Sequence, residues 1–549
     1  MNENKKRFVA SALSLIFAMS FLTTNVFASP NGDPPGDPPG GSAMGDPPDG
    51  GPMGDPPGDP PDGMGGGSAS VSYTGAATID SSTDGSGSSY KSTTGGENAL
   101  LVSGGESTLK NITVSKSGDE SSESSDFYGT NAAVLVYNGA TLNIEGGSVT
   151  TDGAHANGVF AYGTGTINIS GTTINTSANN SGGIMVTGGG TLNADDLTVE
   201  TQGNSSAAIR SDRGGGTMTV NGGSYTTNGQ GSPAIYSTAD ITVNNAQLTS
   251  NSSEGVVVEG ANSVTLNNTV LTDTNNTLNG QSETYKNIFL YQSMSGDASE
   301  GTSYFTANDS TIITNKGDTF YITNTNSVIS LKNNAIVNND PTGVLLRAES
   351  SAWGNSGSNG GKVTFSLSEQ TAEGDIVIDS ISALSMELAD SSTYKGTING
   401  ANQGGSVSLA LDADSVIVLT GDSYVDSLTN ADAENSNIFL NGYNLYVGGD
   451  AISANDGEAP EVVTEIAASS NDSSSEFPAA IVAFGAIILL SAAGCVAFLI
   501  IKGKKTIKPP DNIEKNRQLH CDNLRLIKTT AVSYSRGNTA PLFLFAYLI

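Results

Sequence analysis

Between residues 134 and 271 one apolar pattern returns at a nearly constant interval, and that interval restricts the fold more than any other feature of the chain. The pattern is a small polar residue, then apolar, polar, apolar, a small polar turn and a further strand start. It reads Thr141-Leu-Asn-Ile-Glu-Gly-Gly-Ser-Val149, then Thr166-Ile-Asn-Ile-Ser-Gly-Thr-Thr-Ile174, and on through Ser263-Val-Thr-Leu-Asn-Asn-Thr-Val-Leu271. Its first apolar positions are 142, 167, 192, 218, 241 and 264, separated by 25, 25, 26, 23 and 23 residues. A second series keeps step with it: Val134-Leu-Val136, Val159-Phe-Ala161, Ile184-Met-Val186, Ala208-Ile209, Ile235-Tyr236 and Val256-Val-Val258. Each period then holds three short strands of alternating apolar residues joined by Gly, Asn and Ser turns, with no helical segment. A fixed period in the low twenties of this kind predicts an all-β, right-handed parallel β-helix. Leucine-rich repeats have similar periods, but their Leu-x-x-Leu-x-Leu frame is absent.

The physics of such a coil accounts for the unusual composition. One coil cannot bury its own apolar side chains, so neighbours about 4.8 Å above and below must complete the core. Tight corners favour small polar residues, and the chain holds 68 glycines with only 14% charged residues. Asn221, Asn244 and Asn267 fall at equivalent places, where a ladder of side-chain amides is expected.

Beyond Asn275 the period loosens. Residues 278–300 read as a long insertion, with coils resuming at Thr319-Phe-Tyr-Ile322 and Gly343-Val-Leu-Leu346. We expect repeats over 71–361, and over 362–450 either their continuation or a C-terminal β cap. About 15 coils would make a rod roughly 70 Å long. Residues 29–70 repeat Gly-Asp-Pro-Pro with glycine mostly every fourth position, which excludes a collagen helix and reads as an extended acidic linker.

Both ends carry targeting signals. Lys5, Lys6 and Arg7 precede the apolar run Phe8 to Leu22, and Val26-Phe27-Ala28 offers a cleavage site, so residues 1–28 read as a secretory signal peptide. After a Ser-rich acidic spacer at 451–477, the uncharged stretch within 478–501 is about 34 Å long as a helix, enough for a single transmembrane span. Lys502, Lys504, Lys505 and Lys508 assign the tail 502–549 to the cytoplasm and the bulk of the chain to the outside. No LPxTG-like sorting motif precedes the span.

Charge and scarce residue types exclude several function classes. Between Pro30 and Glu476 there are 51 Asp or Glu against 11 Lys or Arg. Phosphate neutralisation needs the opposite sign, so no nucleic-acid partner is expected. Solubility outside the cell explains the acidity, and loosely bound divalent cations are the sharper alternative. Cys495 and Cys521 are the only cysteines, so the exported region has no disulfides and must be held by burial and stacked hydrogen bonds. The only histidines are His155 and His520.

The repeat over Thr141 to Leu271 resembles the right-handed β-helix proteins of the pectate-lyase-like superfamily, particularly bacterial surface and adhesin-like members. Ser415-Val-Ile-Val-Leu-Thr-Gly-Asp-Ser-Tyr-Val-Asp-Ser-Leu428, with Asn441-Gly-Tyr-Asn-Leu-Tyr-Val447, is similar to segments of autotransporter passenger domains. A single predicted helix stands where autotransporters have a β-barrel anchor. The resemblance implies architecture more than activity. For lyase members it implies an aspartate cluster holding calcium beside a basic residue that abstracts a proton. Asp195-Asp196 is the turn pair that would bind Ca2+, with solvation as the alternative, and Arg210, Arg213 and Arg347 are the candidate bases. Paired carboxylates for glycoside hydrolysis are too numerous to choose among. His155, in a turn, is expected to be exposed. Tyr128, Tyr137, Tyr162, Tyr225 and Tyr236 are candidates for a ring-lined sugar face or for packing, and Trp353 is expected in an open loop.

No catalytic, cofactor-binding or metal-ligating residue is assigned, and no cofactor is expected beyond weakly bound Ca2+. The expected function is a membrane-anchored, adhesin-like bacterial surface protein presenting a β-helix to glycans, cell-wall or host glycans among them, or to other surface partners. A membrane-anchored polysaccharide lyase or glycoside hydrolase is the alternative.

Overall fold

A period-two pattern sends alternate side chains to opposite sides of a strand. The computed structural model, which describes residues 71–280 and 282–462, stacks such strands as a parallel β-solenoid of right-handed type. The expected signal peptide, the tract before residue 71, the predicted span at 478–501 and the tail at 502–549 lie outside the described residues, as does the spacer from 463 onward. Among the described residues no helix is long and apolar enough to cross a membrane.

Each coil contributes one strand to each of three faces. The first face is a sheet of twelve strands running from Thr78–Ile79 to Ile376–Ile378. It continues through a bridge from Ile376 to Ile398 and through the paired strands Ser423–Val425 and Leu445–Val447. That makes about fifteen levels. The last strand, Asp450–Ala451, turns back antiparallel on Val447 and Tyr446 and ends the series among the described residues.

On the second face the six positions named above stand directly over one another. Leu142 pairs with Ile167, Leu192 follows, then Met218, Ile241 and Val264. The column runs further, through Phe305, Ile329, Phe365, Met386 and Leu409 to Leu428. The third face stacks Val114, Val149, Ile174, Val199, Tyr225, Leu248, Leu271 and Ile312 in the same manner.

The corner between the second and third faces explains the Gly and Asn content. In successive coils it holds a residue with positive φ: Asn111, Gly146, Gly171, Asp196, Gly222, Asn245, Asn268, Asp309 and Asn333. Asn, Asp and Gly tolerate this left-handed conformation best. Space matters too, since a Cβ on Gly147 would stand 2.1 Å from the Ile112 carbonyl oxygen. The amide ladder forms as expected: Asn244 donates to Asn221 at 2.9 Å, Asn267 to Asn244 at 2.8 Å and Asn308 to Asn267 at 2.9 Å. Asn143, Asn168 and Asn193 make a second ladder.

Three sequence expectations need correction. Residues 278–300 are not one insertion, because Lys286–Tyr291 inside it is a full strand of the first face, with Ile288 paired to Val256 and Phe320. Two loops flank a coil there, and the period was masked by their lengths. A short helix, Glu123–Tyr128, also interrupts the all-β pattern, ended by Gly129 at φ 73°. Its Ser-rich sequence carries no apolar stripe to reveal it. Strands of the first face do not alternate: Val134–Val136, Val159–Tyr162 and Ile184–Thr187 are buried on both sides almost throughout. Of the two alternatives for the later stretch, continuation describes 362–411: strands Lys362–Ser368, Ala383–Ala389 and Ser406–Leu411 pair in register with those before them.

Candidate functional site

The first face is buried outside as well as inside because three excursions of the chain lie over it. Its outward column reads Leu135, Phe160, Met185, Arg210, Tyr236, Val257, Phe289, Tyr321 and Arg347. The helix Glu123–Tyr128 covers the early part: Gly129 packs against Leu135 and Phe160, and Thr187 donates to the Phe127 carbonyl at 2.6 Å. Residues 292–301 and 349–361 cover the later part, with Trp353 edge-on to Tyr291 at 5.0 Å.

Beneath this cover most charged groups are paired to one another. Arg210 reaches Asp212 at 3.0 Å. Arg213 bonds Asp297, lies 3.6 Å from Glu123 and stacks over the Phe127 ring at 3.8 Å, so it joins the helix to the 292–301 loop. Burial pushes the Asp212 carboxyl up to about 6, against the pull of Arg210. Glu259 is 1% exposed and accepts hydroxyls from Tyr236, Tyr291 and Ser293, with no cation on it. Burial raises its pKa, and those three hydroxyls temper the shift. Arg347 bonds Asp318 at 2.5 Å.

The open counterpart is a groove of about 450 Å³ over the third face. Its floor is an outward column of one side chain per coil: Lys91, Ser115, Thr150, Asn175 and Glu200. Asp152, Ser177 and Gln202 form the adjoining rim. Gln202 donates to Glu200 at 2.7 Å, holding that carboxylate in place. Lys116 is buried beside the groove and donates to the carbonyls of Thr94 and Ser117 at 2.7 and 2.9 Å. Burial lowers its pKa, against the field of Glu97, Asp119, Glu120 and Asp152. These groups offer hydroxyls, amides and charges of both signs on a shallow surface.

Residues singled out in the sequence fall in scattered places. Asp195 joins the amide ladder, accepting from Asn221 at 3.0 Å, and Asp196 occupies a corner. Arg210 stands on another face, so the acid pair and the base are not brought together. Among the described residues no three His, Cys, Asp or Glu side chains converge as a metal cluster. His155 is not freely exposed: its Nδ1 meets Asp126 at 2.8 Å and its Nε2 meets Asn180 at 3.1 Å. It pins the helix to the coil. Tyr137 and Tyr162 gather with Tyr73 at 4.5 and 6.4 Å, and Tyr128 lies edge-on to Tyr162. Tyr225 is instead in the core, and Tyr236 belongs to the Glu259 network. No single face collects the five. Trp353 is half-buried rather than open. The groove leaves no distinctive mark in the sequence, because its lining is ordinary polar residues one period apart.

No family model matches this chain, and no curated protein matches it in sequence. Among solved structures, the complex of Vag8 with C1 inhibitor aligns with 15% identity and a TM-score of 0.36, over 66% of this chain and 99% of that one. The fold assignment rests on strand register. The chain is a parallel β-helix.

Proposed function

We propose that the chain is a membrane-anchored bacterial surface protein of adhesin-like type, presenting its solenoid to glycans or other surface partners. The observation that carries this reading is the groove over the third face. Its Lys91, Ser115, Thr150, Asn175 and Glu200 side chains repeat at the spacing of the coils and suit the many hydroxyls of a polysaccharide. The lysines, the acids and the amides supply both donors and acceptors, as sugar recognition needs. The signal peptide, the span at 478–501 and its lysine cluster support export with a single C-terminal anchor and a cytoplasmic tail. The negative balance outside argues against nucleic acid as a partner.

Binding on a glycan array, lost in Asn175→Ala with Glu200→Ala and unaccompanied by product release, is the expected result. Retained binding in that double variant would place the partner elsewhere. Protease treatment of intact cells tests display, with cleavage of the exported region expected. Full protection would remove the adhesin reading.

A lyase or hydrolase is the second reading, favoured by one observation: the Asp212 carboxyl near 6 beside Arg210 and Arg213. Unsaturated or reducing sugar ends after incubation with polysaccharide would support it.

A further inference from the structure

At the inner corner where the third face turns into the first, successive coils place a hydroxyl. Thr176 and Thr201 stand there and donate to the carbonyls of Ser181 and Ser206, each at 2.5 Å. Ser250 does the same to Ser253 at 2.9 Å. In the next coil the position is Asp273, paired in register with Ser250 before it and Thr314 after it. A carboxylate has no proton to donate to such a carbonyl. Asp273 is 0% exposed, and neither of its oxygens has a hydrogen-bond partner. The Asn275 N–H is near enough to temper the effect of burial but lies outside bonding geometry, and burial, with Glu254 nearby, drives this carboxyl well above its usual range.

Two more oxygens at this corner are also without partners. Asn275 uses its amide nitrogen on the Lys286 carbonyl at 2.9 Å, leaving its Oδ1 unmet. Asn287 uses its amide nitrogen on Thr314 Oγ1 at 3.0 Å, the neighbour of Asp273, and its Oδ1 is likewise unmet. All four unmet atoms are acceptors. The nearby ammonium of Lys286 is held by Ser282 Oγ at 3.0 Å and the Thr284 carbonyl at 2.9 Å, and its nearest carboxylate oxygen is that of Glu254 at 3.9 Å.

We propose that this corner binds a calcium ion inside the solenoid, through the Asp273 carboxylate and the amide oxygens of Asn275 and Asn287, with Glu254 as the second negative charge. Calcium takes six to eight oxygens in flexible geometry, and a set of hard oxygen acceptors lacking donors is what it requires. Buried carboxylates are otherwise costly unless paired or protonated. The ion would tie the coil ending at Asp273 to the next one, beginning at Lys286, across the loop between them. This proposal is independent of glycan binding.

Titration calorimetry and thermal unfolding of the full chain test it, after chelator treatment and with calcium added back. One saturable site per chain and a calcium-dependent rise in the solenoid's melting temperature are expected. Asp273→Asn should lose both, while Asp195→Asn on the exterior keeps them. Asn275→Ala, which removes a ligand but no charge, should weaken calcium binding roughly tenfold or more and guards against misfolding of the first variant. A melting temperature indifferent to calcium, a response surviving in Asp273→Asn, or one given equally by potassium would overturn the proposal. If Asp273 is instead a neutral acid, Asp273→Asn melts no lower than the parent and calcium does nothing.

Discussion

His155 controls more than its own turn. It bridges Asp126 on the helix and Asn180 on the next coil, at 2.8 and 3.1 Å, and so fastens the cover over Phe160 and Met185. Replacing it with Ala should cost about 1 to 3 kcal/mol, because a half-buried carboxylate is left unpaired. Hydrogen exchange should then quicken over 117–133 and leave the second face unchanged. Asp212 has a pH signature of its own. Its folded pKa, about 6, lies above the ordinary aspartate value of 3.8, so the folded state binds the extra proton between those limits. Stability from this group is therefore present at low pH and lost as pH rises from about 4 to about 6. Asp212→Asn should remove that part of the decline, read as melting temperature against pH for both proteins.

Whole columns, rather than single contacts, hold the strands together. Phe365 is fully buried between Ile329 and Met386 on the second face and near the Phe320 ring, 6.0 Å between centroids. Phe365→Ala should cost about 3 to 5 kcal/mol, and limited proteolysis should find its first new cuts in the coils around 346–411. Much of this was legible beforehand. The column from Leu142 to Val264 stands in the register read from spacing, since an inward side chain in one coil must meet its equivalent in the next. The Asn221 ladder was legible for the same reason. Lys286–Tyr291 was not, because loops of unequal length on either side hid its phase. Nor was the cover on the first face: runs such as Val159-Phe-Ala161 signal burial on both sides without saying what buries them.

Across the molecule, stability is a sum over neighbouring coils, so the length of a deletion matters more than its content. Removing residues 167–191, one period from Ile167 to the residue before Leu192, should leave Leu142 stacked on Leu192 and a cooperative β transition by circular dichroism. Removing twelve residues from the same stretch should abolish it, because the remaining half-coil would put polar side chains into the core. This follows from period and alternation, both properties of the chain read in one dimension. Those properties decided the solenoid, the positive-φ corners and the sign of the exterior, since every coil repeats the same local geometry. What they left open was which side chains meet when loops fold back over a face or a corner. Arg213 reaching Glu123 and Asp297, Glu259 taking a hydroxyl from Ser293, and Asp273 lying beside Asn275 each bring in a residue from beyond the repeating strands. Their partners are chosen by loop length and packing, which no periodicity encodes.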